Sequence, residues 1–153
     1  MIPTPGNTEY ENKLLTPHWQ AQFTLPRNGI AGLEESNYYI DYQGVRVISL
    51  NAIRMQDDQA GWLEQVLANN PNRWTVVTYH FPFYTLRDDR EDNSYLKRHW
   101  KPVFDKYGID LALNGHDHGY ARSHLDHSTV YVCSVAGGED ARGRAPALDG
   151  PGR

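Results

Sequence analysis

The sequence predicts a layered α/β fold, with mixed sheets flanked by helices. Three observations carry that prediction. Apolar runs and amphipathic stretches follow each other as strand, helix, strand, helix, strand, the order of a sheet with crossover helices. "GIDLALN" is too continuously apolar to have a solvated face, so it reads as a buried strand of parallel type. "YYIDYQGVRVISL" reads as two strands turned at Gln43-Gly44, an antiparallel pair that makes the sheet mixed.

The elements follow in order. Residues 1–37 are rich in Pro, Gly, Asn and Thr and read as loops around one short helical piece near Glu9–Leu15. Strands follow at Tyr38–Tyr42 and Val45–Leu50. "DDQAGWLEQVLANN" is an amphipathic helix with Asp57 or Asp58 as N-cap, and Trp62, Leu63, Val66 and Leu67 form its apolar face. Asn69-Asn70-Pro71 ends it. "RWTVVTY" is a strand, and His80 comes directly after it. "FPFYTLRDDREDN" is a polar loop with an aromatic start. Ser94 caps a helix from about Tyr95 to Tyr107, which Pro102 should kink or restart. "GIDLALN" and "TVYVCSVAGG" complete the strands. Residues 1–138 read as one unit, and 139–153 as a mobile tail of Gly, Ala, Arg and Pro.

Composition bounds the function. The chain has 153 residues, 39% of them apolar, enough for a single domain with a real core. Its formal net charge of −4 argues against a nucleic-acid partner held by a basic field. No apolar run approaches the roughly 18 residues of a membrane span. The start, "MIPTPGNTEY", has neither the basic nor the apolar region of a signal peptide. Compartment is left open. Cys133 is the one cysteine, so no internal disulfide forms; inside an apolar strand it reads as a small buried hydrophobe.

The chemistry centres on "NGHDHGYARS". His116 and His118 stand between two glycines at the end of an apolar strand, and His80 stands at the end of another. In open α/β sheets, ligands bind outside the carboxyl ends of the strands. Neutral imidazoles there suit borderline metals such as zinc, iron and manganese. The plainer reading, loop histidines satisfied by hydrogen bonds, fits an isolated H-x-H but not three histidines at strand ends.

These residues resemble a known family. "GHDHGY" looks like the C-terminal signature of the calcineurin-like metallophosphoesterases, the superfamily that includes the purple acid phosphatases. "TVVTYHFPFY" looks like its strand plus metal-binding histidine, and "PGNTEYE" like its G-N-H-[DE] element. "GLEESNYYIDYQGVRVISLN" and "WLEQVL" resemble the purple acid phosphatase branch between those motifs. The order agrees across residues 5–138.

The resemblance implies roles. Asn7, His80 and His116 would bind one metal, and His118 its neighbour. The metals would be two of iron, zinc or manganese, with one possible here. The implied substrate is a phosphate ester and the implied fold a two-sheet sandwich covered by helices. The implied reaction is hydrolysis by a metal-activated hydroxide attacking in line.

Two departures qualify it. The family opens with D-x-H and G-D-x-x; here no Asp lies two residues before a His, and no Gly-Asp pair occurs. Those elements supply most ligands of the first metal. The resemblance therefore covers the C-terminal half of the catalytic domain. The expected fold is incomplete at the N-terminus, and association with a missing N-terminal half follows. Second, the histidine of G-N-H is Thr8, whose hydroxyl is far too weak an acid to protonate a leaving group.

Other candidates are weaker. Arg87 and Arg90 follow His80 in a loop that could face the site and pair a substrate phosphate; the plainer reading is a solvated loop of Arg–Asp pairs. His124 and His127 resemble an H-x-x-H pair but read as surface residues of a hairpin loop. His18 and His99 read as structural or surface residues, Tyr120 as packing beside the site, and Tyr79 as core. Three functions remain: a metal-dependent phosphomonoesterase of the acid phosphatase kind; an inactive metal-binding or interaction module; a fragment of such an enzyme.

Overall fold

The computed structural model describes residues 1–134. The expected end of the last strand and the tail at 139–153 lie outside the described residues.

Eight strands and three α-helices are present among them. A two-stranded hairpin joins β1 (Tyr10–Glu11) to β2 (Leu14–Leu15), and α1 is Pro17–Gln22. Then follow β3 (Tyr38–Tyr42), β4 (Val45–Ser49), α2 (Gln56–Ala68), β5 (Trp74–Thr78), α3 (Ser94–Tyr107), β6 (Leu111–Asn114), β7 (Ala121–Arg122) and β8 (Val130–Cys133). The main sheet has the order β3-β4-β5-β6-β8-β7. Its centre, β4-β5-β6-β8, is parallel, and both edge pairings are antiparallel. This is the mixed α/β layer that the sequence predicts.

The helix expected at Glu9–Leu15 is instead the β1–β2 hairpin. Asn12 and Lys13 both take left-handed φ values, 50° and 64°, which close a two-residue turn and interrupt any helix there. The helix lies just downstream, where Pro17 follows Thr16 at the first helical position.

Two caps also differ from expectation. Neither Asp57 nor Asp58 caps α2; both lie in its first turn, where their charge suits the helix dipole. Met55, at φ 51°, precedes the helix. The buried Gln59 side chain donates to the carbonyls of Asn51 and Arg54 and accepts from Asn51 N–H, so it ties the β4–α2 loop to the helix start. For α3 the cap is Asn93, whose side chain accepts from Leu96 N–H at 3.0 Å. Pro102 does not stop α3, because Trp100 and Phe104, both fully buried on either side of it, hold the helix to the core. Gly108, at φ 68°, ends it in the left-handed conformation glycine adopts freely.

Period-2 alternation sorts each strand into two faces. Ile48, Val77, Ala112 and Tyr131 form one row across the sheet and pack under α2 and α3. An aromatic group of Tyr79, Phe83, Trp100 and Phe104 closes that core, with ring centroids 4.9–6.1 Å from Tyr79. The opposite face carries Ile40, Val47, Val76, Leu111 and Val130 in one register row, with Thr78, Leu113 and Val132 beside them. None of these eight is buried, and Leu113 is 36% exposed. Among the described residues the N-terminal segment reaches the sheet through Pro3 C=O, which accepts from Tyr38, and Thr4, which meets Ser49. No described helix is long and apolar enough to cross a membrane.

Candidate metal centre

The site forms where parallel strands end. β5 runs into the fully buried Tyr79, whose N–H donates to Leu113 C=O, and His80 comes next. Gly115 N–H then donates to His80 C=O at 3.1 Å, so the β5 and β6 ends are stitched together beyond the ladder. This stitch sets His116 beside His80, with ring centroids 5.0 Å apart. Phe81 packs edge-on against both rings.

Asn7 reaches the pair from the N-terminal segment. Its Oδ1 lies 2.5 Å from His80 Nε2 and 3.2 Å from His116 Nδ1, and the two ring nitrogens are 3.2 Å apart. Gly6 makes this approach possible: a Cβ there would stand 2.7 Å from His80 Cε1 and Nδ1. The Glu9 carboxylate accepts from Gly6 N–H at 2.7 Å and holds the short helical turn at Asn7–Glu9.

Burial, with His116 nearby, lowers the His80 pKa to about 4. Burial first, then the Arg90 charge, also lowers that of His116. Both rings are therefore neutral at pH 7 and keep a lone pair for a ligand.

Donors around a tetrahedral zinc stand roughly 3.3 Å apart, and two of the three separations here match. Two imidazole nitrogens and an amide oxygen thus fit one borderline metal with positions left open. A second metal has no such set. No three His, Cys, Asp or Glu side chains converge as a metal site among the described residues. His118 is exposed, at φ 45°, and adds no atom to the cluster. Thr8 is also exposed, and its hydroxyl donates to Glu9 rather than toward the histidines.

The other candidates separate clearly. Arg87 forms an exposed pair with Asp89 at 2.6 Å, the solvated arrangement. Arg90 instead reaches Asp117, at 3.1 Å. His127 pairs with Asp126 on the surface. Tyr120 does not pack into the site as expected: it is 66% exposed, and the chain just before it takes a left-handed φ of 45° at His118. Cys133 is buried as expected, and its thiol donates to Gly115 C=O at 3.2 Å.

Sequence reasoning missed Asp117, between the two histidines. Its side chain is 1% exposed and accepts from Thr85 Oγ1, Leu86 N–H and Arg90. An acidic residue amid the glycines and histidines of a loop was the available signal.

A family model, calcineurin-like phosphoesterase, matches residues 1–120. The chain belongs to that family. Its relatives place it in the purple acid phosphatase-like branch. It is 28% identical to purple acid phosphatase 13 of Arabidopsis thaliana over 84% of this chain, and 25% identical to tartrate-resistant acid phosphatase type 5 of Oryctolagus cuniculus over 80%. It is also 31% identical, over 80% of its length, to an uncharacterized protein of Mycobacterium tuberculosis. This phosphoesterase-family chain spans 26–39% of the lengths of those relatives. Its fold matches the purple acid phosphatase PPD1 from yellow lupin with a TM-score of 0.61, at 18% identity, over 74% of this chain and 24% of that one.

Proposed function

We propose that the chain carries part of the metal site of a phosphoric ester hydrolase of the acid phosphatase kind. One observation carries the reading: Asn7 Oδ1, His80 Nε2 and His116 Nδ1 lie within 2.5–3.2 Å of one another at the ends of parallel strands. These three would hold one metal of the zinc, iron or manganese class. Bound there, such an ion supplies Lewis-acid polarisation of a phosphoryl oxygen. The protein's part is to keep both rings neutral by burial, to set their direction through the Gly115–His80 bond, and to bring in Asn7 through Gly6. His118 is exposed, and in this reading it would serve a neighbouring ion rather than this one. The remaining ligands of that ion would come from a polypeptide layer bearing D-x-H and G-D-x-x, whether joined to this chain or separate. The open apolar sheet face supports such a layer.

Thr8 offers no general acid, which typically contributes about 10²–10⁴-fold. Its hydroxyl, turned to Glu9, also favours a second reading: a metal-binding or interaction module without turnover. The deciding experiment measures metal content after dialysis, then hydrolysis of an activated aryl phosphate with zinc, manganese or iron. Metal-dependent turnover lost in His116→Ala supports the enzyme. Near one equivalent of metal without turnover supports the module. Under a few tenths of an equivalent sinks both.

A further inference from the structure

The metal-site reading leaves Asp117 and Arg90 unused, and their arrangement is specific. The Asp117 carboxylate is buried, yet it lies on the loop that carries His116 and His118. Its three donors all come from the loop after His80: Thr85 Oγ1 at 2.7 Å, Leu86 N–H at 2.8 Å and Arg90 Nη1 at 3.1 Å. Two loops 27–32 residues apart in sequence are thus pinned through one side chain. A buried carboxylate needs this full set of partners to offset its desolvation.

The arginine is only partly spent. One nitrogen meets Asp117, and among the described residues its side chain has no other partner. The Arg90 side chain is 39% exposed, so its remaining N–H groups meet solvent. They do so at a cavity of about 220 Å³ whose lining includes Thr85, Arg90, Asn93 and His116 together with the acidic Glu91 and Asp117. The cavity therefore shares a wall with the metal cluster. A guanidinium fork is the side chain best shaped for a phosphate's paired oxygens.

We infer that Asp117 is a positioning residue that holds Arg90 at this cavity, where Arg90 receives the phosphoryl group of the substrate. This rests on the phosphoesterase reading above. The H-D-H motif thereby gains a second role, in which its aspartate orders the anion site beside the metal.

The test titrates inorganic phosphate into the full chain, with and without zinc, and measures zinc binding separately. Loss of a charged hydrogen bond corresponds to roughly 10–100-fold in affinity. Arg90→Gln is expected to weaken phosphate by that factor while zinc binding holds. Asp117→Asn is expected to weaken phosphate similarly, and to speed hydrogen exchange at Leu86 N–H. The double variant is expected to be no worse than either single one, since both act through one contact. Arg73→Gln, at the far end of β5, removes the same charge without effect.

A carboxylate that merely damped the Arg90 charge would give the opposite sign: Asp117→Asn would then bind phosphate more tightly, which overturns the inference. Additive losses in the double variant overturn it too, as does wild-type zinc-loaded chain that takes no phosphate. If Asp117→Asn melts early, Arg90→Lys decides instead. It keeps the charge but not the fork, so wild-type phosphate affinity in that variant refutes the positioned guanidinium. A chain that binds no zinc refutes the metal reading alone, because the zinc-free titration still reports on Arg90.

Discussion

Gly6 abuts the His80 ring so closely that a methyl group on it would stand 2.7 Å from two ring atoms. A real Cβ does not tolerate that distance, so either the Gly6 backbone or the imidazole must move. The G-N dipeptide is thereby explained without reference to any relative. Glycine gives the approach, and asparagine gives the oxygen.

Gly6→Ala is therefore expected to misplace either Asn7 or His80. Supporting contacts of this kind are typically worth 10–100-fold in metal affinity. Zinc affinity should fall by about that factor. Competition against a chromogenic chelator measures it. Affinity unchanged within twofold would mean that Asn7 and His80 do not act together.

Metal should also stabilise the folded chain, because the three donors converge only when it is folded. At 100 times its dissociation constant, a ligand adds about 2.7 kcal/mol. For a chain of this size that is roughly 5–10 °C in melting temperature. Zinc should produce such a rise in the wild type, chelator should abolish it, and His80→Ala or His116→Ala should lack it. An equal rise in those variants would place the zinc elsewhere.

Much of this architecture was legible in the sequence. β3 to β5 and β8 follow from their apolar, β-branched runs, and His80 and His116 stand at strand ends as expected. β6 is a strand as read, but its continuous apolar run does not bury both faces, since Leu113 is 36% exposed. What was hidden depends on partners distant in sequence or on special backbone. The β1–β2 hairpin needs left-handed φ at Asn12 and Lys13, which no periodicity announces. The start of α2 is organised by the buried Gln59 side chain rather than by a local acidic cap. Asp117 reads as one more polar loop residue until the fold brings Thr85 and Arg90 to it.

The open sheet face predicts association. Ile40, Val47, Val76, Leu111, Leu113, Val130 and Val132 form a contiguous apolar surface without a covering layer among the described residues. Patches of this kind mark interaction surfaces in soluble proteins. The isolated chain should self-associate at roughly 100 µM, read by sedimentation. Val76→Lys with Leu113→Lys should shift it toward monomer and leave zinc binding intact. A wild type that sediments as a sharp monomer at that concentration would mean the face is stable in water by itself.

Cys133 gives the pH-dependent prediction. Burial, followed by the nearby Asp117 charge, pushes its thiol up from 9.0 to about 11. The thiolate is thus disfavoured in the folded chain relative to the unfolded one. The unfolded state releases the proton first, so this contribution to stability is complete below about pH 9 and is lost as pH rises toward 11. The nucleophile is the thiolate, and at pH 8 a thiol of this pKa holds about a hundredth of the thiolate that an unfolded one does. Iodoacetamide should therefore modify native Cys133 at least roughly tenfold more slowly than urea-unfolded chain. The difference should shrink as pH approaches 11. Alkylation should also disturb the metal loop, because it removes the thiol hydrogen bond to Gly115, the residue whose N–H holds His80. Equal rates in the native and unfolded chain at pH 8 would show that the β8 end opens freely and that Gly115 is held by other means.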